Sequence, residues 1–114
     1  DEASEAELAT LLERNADMIA GIVVEPLVQG AGGMRFHDPV VLRRLRTLAD
    51  RFGMLLIFDE IFVGFGRTGA MFACDAAGVT PDIVTLPMAS GSPMSARLRH
   101  GWPPACRAAA ICRA

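Results

Sequence analysis

The residues best suited to chemistry are two adjacent acids, Asp59 and Glu60, followed at close range by Gly64, Gly66 and Gly69. They come straight after an apolar run, Met54-Leu55-Leu56-Ile57-Phe58, whose length and lack of alternation predict a strand buried on both faces of a parallel sheet. Ligands of open α/β sheets bind just beyond the carboxyl ends of the strands, where these two carboxylates stand. A carboxylate buried there needs a cationic partner, because an unpaired buried charge is either strongly destabilising or neutralised by protonation. The glycines supply a turn that takes positive φ and lets backbone approach closely. A plainer reading has Asp59 capping a turn and Glu60 solvated, since short polar residues favour turns in any case.

The elements that must position these acids can be read on either side. Ser4 with Glu7 forms a capping-box pattern, and Leu8, Leu11 and Leu12 at helical spacing predict a helix to about Asn15. Ile19 to Val24 predicts a strand, ended by Glu25-Pro26 because proline cannot donate to a ladder. Asp38 as N-cap, Pro39 in the first helical position and Gly53 as terminator bound a second helix, along which Val40, Leu42, Leu45, Leu48 and Phe52 recur. A strand, a long crossover and a second strand imply parallel pairing, so Glu25 and Asp59 should emerge on the same edge of one sheet. Glu25 serves equally well as an acid that satisfies nearby loop amides. A short helical piece around Phe72 to Ala77 and a strand from Ile83 to Leu86 continue the pattern.

Several function classes fall away. The loop from Gln29 to Gly33 lacks the Gly-x-Gly-x-x-Gly spacing, and no lysine follows it, so dinucleotide and P-loop readings fail. Arg43, Arg44, Arg46 and Arg51 read as a solvated helix face; the acidic surroundings and the absence of interleaved aromatics point away from nucleic acid. No apolar run reaches the roughly 20 residues of a membrane span, and no signal-peptide pattern opens the chain, so the expected compartment is the cytoplasm. Three cysteines without a Cys-x-x-Cys pair suit a reduced protein, and His100 with Cys106 and Cys112 makes a poor zinc set. A composition of 52% hydrophobic and 21% charged residues is ordinary for a soluble globular domain.

The run Gly21-Ile22-Val23-Val24-Glu25-Pro26-Leu27-Val28-Gln29-Gly30-Ala31-Gly32-Gly33-Met34-Arg35-Phe36, the segment Leu55 to Gly69 and the later Pro81-Asp82-Ile83 resemble the large domain of the class III aminotransferases. These are pyridoxal phosphate (PLP) enzymes of fold type I, and the resemblance covers residues about 19 to 86. It implies an α/β fold, part of a parallel-sheet large domain with αβα layers, working on small-molecule substrates as a homodimer. Gln-Gly-Ala-Gly-Gly-Met-Arg, Gly-Phe-Gly-Arg-Thr-Gly and Met71-Phe72-Ala73-Cys74 are most similar to the biotin-pathway members. That similarity implies transfer of an amino group from S-adenosylmethionine to 8-amino-7-oxononanoate.

Carried over residue by residue, the resemblance implies that Asp59 pairs with the protonated pyridine nitrogen and that Ile61 packs on one face of the ring. Glu25 and Gln29 would stand behind those contacts, and no metal is implied. Phe62 and Val63 depart from the usual residues, and a phenyl ring at 62 is expected to crowd the cofactor. The Schiff-base lysine is expected near Met88, but all eleven basic residues are arginines. Arginine stays protonated and cannot act as the amine. The chain is therefore expected to be an inactive fragment.

Residues 1–86 contain all thirteen acids and seven arginines, whereas residues 87–114 contain four arginines, no acid and four of the seven prolines. That break marks a boundary between a partial transferase domain, 1–86, and an unrelated tail, 87–114, expected to lack a stable fold of its own although 104–114 could be helical if docked. The tail has the composition of an out-of-frame reading of a GC-rich gene, so a frameshift or truncation is expected; a genuine divergent tail is the alternative. Two rival functions stay open. One is a non-catalytic module that binds a full-length aminotransferase. The other is a fragment of a class III enzyme for an ω-amino acid such as ornithine or 4-aminobutyrate, against which Ala31 weighs, because several of those relatives carry an acid there.

Overall fold

In the computed structural model, which describes residues 2–86 and 97–98, the elements follow the order α1 (Glu2–Arg14), β1 (Gly21–Val24), β2 (Val28–Gln29), β3 (Arg35–Phe36), α2 (Pro39–Phe52), β4 (Leu55–Asp59), α3 (Ala73–Ala77), β5 (Ile83–Thr85) and β6 (Arg97–Leu98). The main sheet has the strand order β1-β4-β5-β6. β4 runs parallel to both β1 and β5, as the strand-crossover-strand reading requires, and β6 pairs antiparallel with β5. The glycine loop that begins at Gln29 forms the tip of a small hairpin, β2 against β3. Among the described residues no helix is long and apolar enough to cross a membrane.

α2 is closed at both ends by the residues that mark it in the sequence. Asp38 accepts a hydrogen bond from the Val40 amide at 2.8 Å, and Gly53 takes the left-handed conformation (φ 64°) while its N–H reaches the carbonyls of Ala49 and Asp50. α1 starts two residues before Ser4, so Ser4 lies within its first turn and is not the cap. Leu42 and Ala49 of α2 pack with Leu56 and Phe58 of β4 and with Ala77 and Val79 around α3. Leu12 of α1 meets Leu48 of α2 and Met54 in an adjoining cluster.

The expectation of a strand dry on both faces needs correction. Leu56 and Phe58 are fully buried, but the alternate residues Leu55, Ile57 and Asp59 are only half-buried, and Val23 of β1 is 67% exposed. α2 and α3 cover the Leu56–Phe58 face, so the described residues supply the sheet and one helical layer. The apolar residues on the other side are what a strand needs when a second layer covers it.

The arginines of α2 also differ from a plain solvated face. Arg46 donates to Asp82 Oδ2 at 2.7 Å and pairs with Asp50 at 2.8 Å, with its side chain only 15% exposed. Asp82 is buried, and its Oδ2 also accepts from the Leu56 amide at 2.8 Å, while its own N–H donates to the Leu56 carbonyl at 2.8 Å. Arg43 donates to the Ala77 carbonyl and Arg44 pairs with Glu5. The tail expected over 87–114, with Met88, His100, Cys106, Cys112 and the docked helix at 104–114, lies outside the described residues apart from β6.

Removing one member of a buried pair leaves the other uncompensated, so Asp82→Ala should lower stability by about 3 kcal/mol. Arg44→Ala, which breaks a half-exposed pair, should change it by less than about 1 kcal/mol. The urea midpoints of the two variants measure the difference, and equal midpoints would show that Asp82 is no anchor.

Candidate active site

Parallel register brings the ends of three strands together. Val24 pairs with Phe58 and Asp59 with Thr85, so Glu25 and Asp59 follow their strands at one edge, with Thr85 on the far side of Asp59. Asp59 is half-buried. Its Oδ1 accepts from the Ile61 amide at 3.1 Å and from the Thr85 hydroxyl at 3.0 Å. Among the described residues Oδ2 accepts no hydrogen bond. Ile61 is 48% exposed, so it is not the core residue that its type alone would suggest.

Glu60 turns the other way and is fully buried. Its two carboxylate oxygens accept from the amides of Ala73, at 2.7 Å, and Cys74, at 2.9 Å, which are the first two residues of α3. The solvated reading of Glu60 is thus overturned: α3 has no side-chain cap of its own at Phe72, and a carboxylate from the end of β4 satisfies its orphan amides instead. The turn between them is tight. Gly64 donates to the Glu60 carbonyl at 2.8 Å, and a Cβ at Gly64 would sit 2.8 Å from that same oxygen, so any side chain would force the turn open.

Glu25 and Gln29 make their contacts within their own hairpin. Glu25 Oε2 accepts from the Gly30 amide at 2.7 Å, its carbonyl lies 3.0 Å from His37 Nε2, and the Gln29 side chain packs beneath Gly32. Phe62 packs beside Gly30, with the Arg67 guanidinium 4.9 Å above its ring, and belongs to a cluster with Val28, Val63 and Ala73. Its ring is therefore occupied against the hairpin. A hollow of about 560 Å³ opens there, walled by Leu27, Val28, Phe36, Phe62 and Val63 among others, and Asp59 is not part of its wall. No group of three His, Cys, Asp or Glu side chains among the described residues could hold a metal.

The sequence marks Asp59 and Ile61 as candidates but not Thr85, which the structure places beside Asp59. The signal for Thr85 was present, since two parallel strands of known register put position 85 beside position 59. For the Glu60 contact no sequence signal exists, because its partners are backbone amides thirteen and fourteen residues on.

Burial pushes the Cys74 thiol from 9.0 up to about 12, and the neighbouring Glu60 carboxylate adds to the rise. The thiol is therefore protonated in the folded chain at pH 9 to 12, where the unfolded thiol ionises. Folding stability should then fall as pH climbs through that window. At pH 8, alkylation of Cys74 by iodoacetamide, followed by peptide mass spectrometry, should run on the order of a hundredfold slower than for a free thiol. Labelling at the free-thiol rate would contradict this environment.

Residues 1–103 match the family described as aminotransferase class-III, extending beyond 19–86 on both sides. The chain is 55% identical over 80 residues to the adenosylmethionine-8-amino-7-oxononanoate aminotransferase of Geobacter sulfurreducens, covering 70% of this chain and 18% of that protein. It is 57% identical over 75 residues to the enzyme of the same name from Mycobacterium leprae, covering 66% and 17%. Its fold superposes with a TM-score of 0.68 and 38% identity on a lysine aminotransferase from M. tuberculosis, covering 73% of this chain and 19% of that one. The chain thus spans less than a fifth of the length of these curated relatives. With most of its length on that family's pattern, and with the strand ends and the glycine turn in that family's fold, the chain belongs to the class-III aminotransferases, a family that works with pyridoxal phosphate.

Proposed function

We propose that this chain is the stretch of a class III aminotransferase that holds the ring of pyridoxal phosphate, and that the activity it belongs to is transfer of an amino group from S-adenosylmethionine to 8-amino-7-oxononanoate in biotin synthesis. The observation that carries the reading is the Asp59 carboxylate: two donors fix Oδ1 at the carboxyl edge of the sheet while Oδ2 stays open. The names of the relatives from G. sulfurreducens and M. leprae support the substrate pair. The working form would be a cytoplasmic homodimer.

The residues present fit the nitrogen end of the ring. A carboxylate with one open oxygen accepts from a pyridinium N–H, a charge-assisted bond of about 1.5 to 3 kcal/mol that keeps the ring protonated. Ile61, half-exposed two residues beyond, offers an apolar side chain to a ring face. When bound, the cofactor supplies an electron sink for the carbanion formed at the substrate carbon. The residues do not fit the tether: the sequence has no lysine, and arginine offers no free amine. The proposal is accordingly that this chain alone does not transaminate.

The face of the sheet that no described element covers favours a second reading, a non-catalytic module that docks on a full-length aminotransferase subunit. Retention of the intact enzyme by the immobilised chain would support it, and no retention would count against it.

Titrating pyridoxal phosphate into the chain, followed by its absorbance, should show binding that Asp59→Ala weakens about tenfold or more. Unchanged affinity in that variant would remove Asp59 from the site. With pyridoxal phosphate, S-adenosylmethionine and 8-amino-7-oxononanoate, the chain should yield no diamine product, and measurable turnover would refute the loss of activity.

A further inference from the structure

We propose that Thr85 is a positioning residue for Asp59: its hydroxyl sets the direction in which the open carboxylate oxygen faces the pyridinium nitrogen. The proposal rests on the cofactor reading above and names a residue that reading does not require.

The hydroxyl donates to Asp59 Oδ1 at 3.0 Å from the neighbouring strand, where Asp59 and Thr85 are register partners. The Thr85 carbonyl meanwhile accepts from the Glu60 amide at 3.0 Å, so the backbone carrying the hydroxyl is clamped to the very end of β4. A threonine in a strand is stiff about χ1, which keeps the hydroxyl where the ladder puts it. The other bond to Oδ1, from Ile61 N–H, spans only two residues and travels with the loop that follows Asp59. Of the two donors, only Thr85 ties the carboxylate to the sheet. The χ2 torsion of an aspartate is broad, so a carboxylate held at neither oxygen can face many directions. Holding one oxygen from the sheet decides the direction of the other before a ligand arrives, the general route by which preorganisation raises affinity.

Thr85→Val removes the donor and keeps a β-branched strand residue, and Thr85→Ser keeps the donor. In crystals of the cofactor-free chain, the Asp59 carboxylate should be single in the wild type and in Thr85→Ser but spread over more than one rotamer in Thr85→Val. In solution, affinity for pyridoxal phosphate should fall about fivefold in Thr85→Val, where the preorganisation of the carboxylate is lost, and recover in Thr85→Ser. The ¹⁵N signal of ring-labelled cofactor should move toward the unprotonated position in the valine variant alone. A merely structural threonine would shift the melting temperature and leave the rotamer and the ring signal unmoved, which would overturn the proposal. If Asp59→Ala weakens binding and Thr85→Val does not, the positioning role alone fails. If the wild-type chain binds no cofactor, the role toward the ring fails together with the reading beneath it, even where the crystals show the rotamer held.

Discussion

A single buried carboxylate fixes the height of the central strand. Asp82 bonds both backbone groups of Leu56, one through its side chain and one through its amide, while Arg46 of α2 neutralises its charge. That ring of bonds sits near the start of β4, and the Asp59 carboxylate sits at its end. A slip of one residue would exchange the faces of the strand, exposing Leu56 and Phe58 and moving Asp59 out of line with Thr85. The geometry at the carboxyl edge is thus set several residues earlier, by an ion pair that touches no ligand.

Three carboxylates near this strand share a residue class but not a task. Asp82 locks register, Glu60 caps a short helix from a distance, and Asp59 keeps one oxygen open. What separates them is partner chemistry: an arginine for the first, two backbone amides for the second, a hydroxyl and one amide for the third. Only the third leaves acceptor capacity at the surface, where a cation can reach it.

The elements themselves were legible because their signals are local. Asp38, Pro39 and Gly53 bracket α2 within a single stretch of chain, and the apolar run before Asp59 announced its strand. Asp59 and Ile61 were reachable through the motif that contains them. The Arg46–Asp82 pair was not, since the residues are 36 apart and an arginine among arginines on a helix looks solvated. Burial was misjudged for the same kind of reason. Leu55, Ile57 and Ile83 carry the pattern of a strand enclosed on both sides, and the described residues supply a cover for only one of them.

The sheet face that no described element covers also bears on behaviour in concentrated salt. Val23 stands 67% exposed on the outermost strand, beside the half-buried Leu55 and Ile57 of its neighbour. Sulfate and other excluded solutes strengthen the tendency of such a surface to leave water. On an ammonium sulfate ramp a surface of this kind favours contact between molecules at lower saturation than a charged surface of equal size.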